Sequence, residues 1–169
     1  MNITIRDYET RDYDACRSLW VELTQHHRDI YEDPSIGGDD PGHGFDEYLE
    51  NPRRQSTWVA ESEGQVVALA GLLLHSKEEG EVEPVVVSQP YRDRGIGTRL
   101  VEHVVKEAKE KGVRFLSIRP VARNERAISL YARLGFSTVG AVELLQDLSS
   151  SYDRKWKPRI KILDNELRY

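Results

Sequence analysis

The chemistry in this chain starts at Arg92, Gly95 and Gly97, an Arg-x-x-Gly-x-Gly pattern that follows the apolar run Val85, Val86 and Val87. A β-branched run, then glycines, then a long amphipathic stretch spells strand, turn and helix. The first turn of a helix has N–H groups without internal acceptors, and the helix dipole adds positive potential there. Such a terminus takes up anions. The segment Arg92, Asp93, Arg94, Gly95, Ile96, Gly97 and Thr98 is therefore a candidate phosphate-binding loop, to which Arg92 and Arg94 add charge. No Lys-Ser/Thr pair follows Gly97, which sets aside a P-loop. Leu100 stands where a dinucleotide fingerprint needs its third glycine. Taken alone, the pattern also fits a turn whose glycines only serve the turn.

A second segment lies a strand and a turn downstream, with Asn124, Ala127, Leu130, Tyr131, Leu134, Gly135 and Phe136 at fixed spacing. The two segments together, over roughly residues 80–140, resemble the GNAT superfamily of N-acetyltransferases. The resemblance implies an acetyl-CoA co-substrate and a mixed α/β (α+β) fold. Its central sheet is mostly antiparallel and flanked by helices, with a splayed central strand pair that binds the cofactor. It further implies that backbone groups of Val85, Val86 and Val87 pair with the pantetheine arm and polarise the acetyl carbonyl. The pyrophosphate would rest on N–H groups between Arg92 and Thr98, and Asn124 would touch the cofactor. Each position also has a plain structural reading: a buried central strand for the valines, and a helix N-cap for Asn124.

Acetyl transfer to an amine sets three problems. The acceptor must lose a proton, since a lysine-like ammonium has a pKa of about 10.4. Charge on the thioester oxygen needs fixed donors, and the leaving thiolate needs a proton. Tyr131, at the family's Leu-Tyr position, is the candidate general acid; its alternative is a core aromatic, because Ala127, Leu130, Tyr131 and Leu134 are helically spaced. The resemblance makes Glu83 the first candidate base, acting directly or through water: it lies two residues before the valine run, where polyamine-acetylating relatives have a catalytic glutamate. Glu81, on the same face by strand alternation, matches the glutamate of some histone-acetylating relatives and is the second, and His75 is the third. Ser117 occupies the position where another branch of the family carries a glutamate on the following strand. A non-catalytic acyl-CoA sensor would carry the same cofactor motifs.

These residues need elements to hold them. Strands are expected at 3–6, 57–61, 65–74, 81–87 and 114–119, the last one buried, with a hairpin turn at 62–64. Helices are expected at 13–27, 95–111 and 125–134, with a short one at 45–50. In the helix at 95–111, Ile96, Leu100, Val101, Val104, Val105 and Ala108 form the apolar stripe. Gly112 and Gly135 read as helix stops. Residues 136–148 are expected to supply the closing strands, and 31–44 a surface loop. Glu32, Asp33, Asp39 and Asp40 in that loop lean toward a cationic acceptor, a small-molecule amine or an amine on a peptide or protein.

Composition bounds the rest. At 169 residues the chain suits one domain, expected at 1–148, with 149–169 as a basic, partly apolar tail or arm. A homodimer to which the tail contributes fits the family's habit. Cys16 is the single cysteine, so an internal disulfide is excluded and a reducing, cytoplasmic setting is expected. Its helical spacing with Leu19, Trp20 and Leu23 marks it as a core thiol. The formal net charge of −5 argues against nonspecific nucleic-acid binding, and no apolar run is long enough for a bilayer. The histidines His26, His27 and His43 are too scattered to suggest a metal site.

Overall fold

A computed structural model of the chain describes residues 2–146, 148, 157, 160–162 and 165–167. Five strands form one sheet in chain order: β1 (Ile3–Asp7), β2 (Arg54–Ser62), β3 (Gln65–Leu74), β4 (Glu79–Val87) and β5 (Phe115–Ser117). Every joint is antiparallel except the last, where β4 and β5 run parallel. The β2–β3 turn closes on the pair Ser62↔Gln65, with Glu63 at φ 51° and Gly64 at φ 79°. Two consecutive left-handed residues are what a tight hairpin matched to strand twist requires.

Both faces of the sheet are covered, which explains why β3 reads as a continuous apolar run. On one face α3 (Ile96–Glu110) packs Ile96, Leu100, Val104 and Ala108 against Ala68, Ala70, Leu72 and Val82. On the other, α1 (Tyr13–Tyr31) and α2 (His43–Glu50) bring Cys16, Leu19, Phe45 and Tyr48 onto Val59, Leu69, Leu73 and Val86. Alternation along β3 assigns its side chains to the two cores in turn. Cys16 is fully buried, and burial pushes its thiol pKa up to about 12, which keeps it a core residue.

Helices α3 and α4 (Glu125–Arg133) end alike. Gly112 at φ 82° and Gly135 at φ 97° follow their C-caps. The N–H of Val113 reaches Ala108 O at 3.0 Å, and that of Phe136 reaches Tyr131 O at 3.1 Å. These are Schellman terminations, and glycine makes the left-handed step without a Cβ penalty.

Three sequence expectations are corrected. Helix α1 continues to Tyr31, where Glu32 turns left-handed at φ 52°, and α2 begins at His43. Strand β5 covers only Phe115–Ser117 and is an edge strand among the described residues; Phe115 is 65% exposed. Residues 136–146 contain no strand. Gly140 sits within the segment, and Val139, Leu144 and Leu145 face outward without a ladder partner among the described residues. The late strands are β6 (Ile160–Ile162) and β7 (Asn165–Leu167), a separate antiparallel pair. Most of the expected arm at 149–169 lies outside the described residues.

Candidate active site

The central feature is a fork between β4 and β5. The strands pair at Glu79↔Phe115, Gly80↔Leu116 and Glu81↔Ser117, and there the ladder stops. From Val82 to Val87, β4 runs on with no ladder partner on that side among the described residues. The backbone of Val85, Val86 and Val87 therefore borders the opening, while the side chains of Val82 and Val86 stay in the cores. Such an edge needs partners for its N–H and C=O groups, and an extended amide-bearing chain can supply them. On the opposite edge, β4 carries a bulge: Leu72 pairs with Val82 and Ala70 with Val85, so Glu83 and Pro84 together oppose Gly71. A Cβ at Gly71 would stand 2.0 Å from Tyr48 Oη and 2.5 Å from Glu83 O, so only glycine fits there.

The anion-binding loop begins where β4 ends. The Glu22 carboxylate on α1 accepts from Ser88 Oγ and from the Gln89 N–H, each at 2.8 Å, and so fixes the exit from the strand. Arg92 Nε donates to Val87 O at 2.9 Å, folding the loop back over the fork. Asp93 at φ 64° and Gly95 at φ 74° make two left-handed steps, and Asp93 is held by an ion pair to Arg126. Gly95 is the N-cap of α3, and no side chain caps that terminus. Its first-turn N–H groups thus face outward from a loop that also carries Arg94 and Thr98. A Cβ at Gly95 would meet nothing within 4 Å, and one at Gly97 only Val87 Cγ2 at 3.5 Å and Leu130 Cδ2 at 3.9 Å. An open backbone with unshared N–H groups fits a pyrophosphate.

Leu130 brings α4 up to the start of α3, its Cδ2 3.9 Å from where a Cβ of Gly97 would stand. The next residue, Tyr131, is 9% exposed and edge-on to Phe136 at a centroid distance of 6.3 Å. Burial pushes its phenol up to about 12, so it keeps its proton through the neutral range. Asn124 is the N-cap of α4; its Oδ1 accepts from the Ala127 N–H at 3.1 Å. Its Nδ2 lies 3.5 Å from His26 Nε2, a contact across 98 positions of chain. Burial, then the positive charge of Arg92, lower the His26 pKa, with Arg126 adding to them and Asp29 opposing. In the sequence His26 reads only as one of the histidines considered for a metal site. Nothing local in the sequence points from α1 to Asn124.

The candidate bases differ sharply. Glu83 is exposed, and its pKa is raised by desolvation first and by the neighbouring Glu81 charge second. Glu81 is 3% exposed and in contact with His75 Nε2 at 2.8 Å. Ser117 Oγ donates to Gly80 O at 3.2 Å and leaves no carboxylate on the β5 side. The acidic loop proves partly self-consumed: Asp40 pairs with Arg17 and accepts from the Gly42 N–H, and Asp33 accepts from Ser35. Asp40, His43 and Asp46 come within 4.8 Å of one another, but Arg17 already pairs with both aspartates and offsets one of their two charges.

The class these features define is a mixed α/β protein whose sheet opens between two parallel strands beside a glycine-based anion loop. The sequence pattern of the acetyltransferase (GNAT) family matches residues 16–136, and the chain belongs to that family. Among similar proteins, the uncharacterized N-acetyltransferase MJ1207 of Methanocaldococcus jannaschii is 27% identical over 113 residues, 55% of this chain and 50% of that protein. The N-alpha-acetyltransferase RimI of Mycobacterium tuberculosis is 34% identical over 108 residues, 61% of this chain and 66% of that protein. The chain thus spans about half to two thirds of these relatives. A crystal structure of a ribosomal-protein-alanine N-acetyltransferase from Brucella melitensis shares the fold, with a TM-score of 0.69 and 15% identity, covering 86% of this chain and 99% of that one. No helix among the described residues is long and apolar enough to cross a membrane.

Proposed function

We propose that the protein is an N-acetyltransferase that moves an acetyl group from acetyl-CoA to a primary amine by direct attack within a ternary complex. The observation that carries this reading is the fork: β4 loses its parallel partner after Glu81 and presents the backbone of Val85, Val86 and Val87 beside an uncapped α3 terminus. Acetyl-CoA, when bound, supplies an activated thioester. The backbone N–H groups of the valine run orient its arm and stabilise charge on the carbonyl oxygen. The loop from Arg92 through Asp93, Arg94, Gly95, Ile96 and Gly97 to Thr98 receives its phosphates, and Asn124 borders the same space.

Glu83 takes a proton from the acceptor amine. A carboxylate with a raised pKa is better matched to that task near neutrality than an ordinary one. Tyr131 gives its proton to the departing sulfur. The relatives named for N-terminal and alanine acetylation make a peptide α-amine the first acceptor to try.

Thiol release from acetyl-CoA tests the proposal across alanine-initiated peptides, lysine peptides, polyamines and aminoglycosides, with calorimetric binding of acetyl-CoA alongside. Turnover with one acceptor class is expected. Tight binding without any turnover would favour an acyl-CoA sensor, and no binding would end the proposal.

A further inference from the structure

Glu81 is a carboxylate buried at the crotch of the fork, on the last residue where β4 still pairs with β5. Both of its oxygens are engaged. Oε2 lies 2.8 Å from His75 Nε2, and Oε1 lies 3.4 Å from Arg119 Nε. The turn that carries His75 is well fixed: the N–H groups of His75 and Ser76 donate to Glu79 O at 2.9 and 3.2 Å. Arg119 comes from the chain just beyond β5, so its ion pair spans the crotch from the other arm. A buried anion is costly unless paired, and an apolar residue would fill the same strand position at less cost.

A use for that charge lies two residues along. Glu81 is the register partner of Leu73, which packs on the α1 and α2 side, and strand alternation turns Glu83 toward that side too. Four groups bear on Glu83: Glu81 on its own strand, His75 from the β3–β4 turn, Arg119 from beyond β5, and Tyr48 from α2. Glu81 favours a proton on Glu83, whereas Arg119 and a charged His75 oppose it.

We propose that Glu81 is a positioning residue for the transfer reaction: a fixed anion, anchored by His75 and Arg119, that strengthens Glu83 as proton acceptor without itself meeting the substrate. The inference rests on the reading of Glu83 as the base. In the step it serves, R–NH3+ passes one proton to the Glu83 carboxylate. The freed lone pair forms the C–N bond while the C–S bond breaks. The thiolate takes the Tyr131 proton, the second amine proton restores Tyr131, and Glu83 releases its proton to water.

The test is a carbon-13 NMR titration of the Glu83 carboxyl without substrate, in the parent protein, in E81Q and in R119Q, with the resonance assigned by its loss in E83Q. The Glu83 midpoint is expected at lower pH in E81Q and at higher pH in R119Q. Opposite displacements cannot come from a shared structural disturbance, and Arg119 is exposed enough for its variant to fold whatever E81Q does. A midpoint that stays put in R119Q, or moves the same way in both variants, overturns the proposal. An E83Q protein with the parent's kcat overturns the reading beneath it, whatever the titration gives.

Discussion

Among the roles proposed for side chains, that of Tyr131 is chemically the most specific. The Schellman turn that ends α4 sets Phe136 against it, so its ring is held by backbone hydrogen bonds as much as by packing. Burial keeps the phenol protonated, and α4 carries it next in sequence to Leu130, which lies beside Gly97. Tyr131→Phe keeps the ring and removes the proton. Its kcat is expected to fall about 100-fold or more while acetyl-CoA affinity holds, which single-turnover kinetics and calorimetry would separate. An unchanged kcat would remove Tyr131 from the reaction. Much of this site was legible at the residue scale, because the glycines, Asn124 and Tyr131 sit in two short motifs whose spacing is local. His26 and the partners of Glu81 were not. His26 meets Asn124 across most of the fold, and alternation puts Glu81 and Glu83 on one face without revealing that one is buried and the other exposed.

At the scale of elements, the bulge opposite Gly71 matters as much as the fork. It aligns Glu83 and Pro84 against a single residue of β3, and Tyr48 Oη, which shares a 2.8 Å hydrogen bond with Thr57 Oγ1, fills the space above that residue. Gly71→Ala therefore forces either the buried Tyr48 or the backbone of Glu83 to move. The variant is expected to lose about 2 kcal/mol of stability in urea denaturation. It is also expected to lose more activity than that stability loss explains, because Glu83 shifts with its carbonyl. Wild-type stability would show that β3 can yield at this point. The order of elements through α4 followed from periodicity and turn residues, most clearly in α3 and α4, which have a marked apolar face and a glycine stop. Residues 136–146 did not, because apolar residues such as Val139, Val142 and Leu144 do not reveal whether a neighbouring strand exists to pair with them.

The whole molecule is a sheet with two cores, and three of its buried groups resist ionisation. Cys16 and Tyr48 on the α1 and α2 side, and Tyr131 on α4, each have a pKa pushed up to about 12 by burial. In the unfolded chain the thiol and the phenols ionise from about pH 9 to 10. Above that range the unfolded state binds fewer protons than the native one, so stability falls as pH rises, and continues to fall up to about 12. The urea midpoint should thus be lower at pH 10.5 than at pH 8, and an equal or higher midpoint would mean that these groups are solvated. The central claim concerns where the acetyl group goes. It is met most directly by a single-turnover reaction with isotope-labelled acetyl-CoA and an acceptor that supports thiol release, quenched and read by intact mass. Label is expected on the acceptor nitrogen and none on the protein at any time. Label on a protein side chain before it reaches the acceptor, or none on the acceptor at all, would contradict direct transfer across the fork.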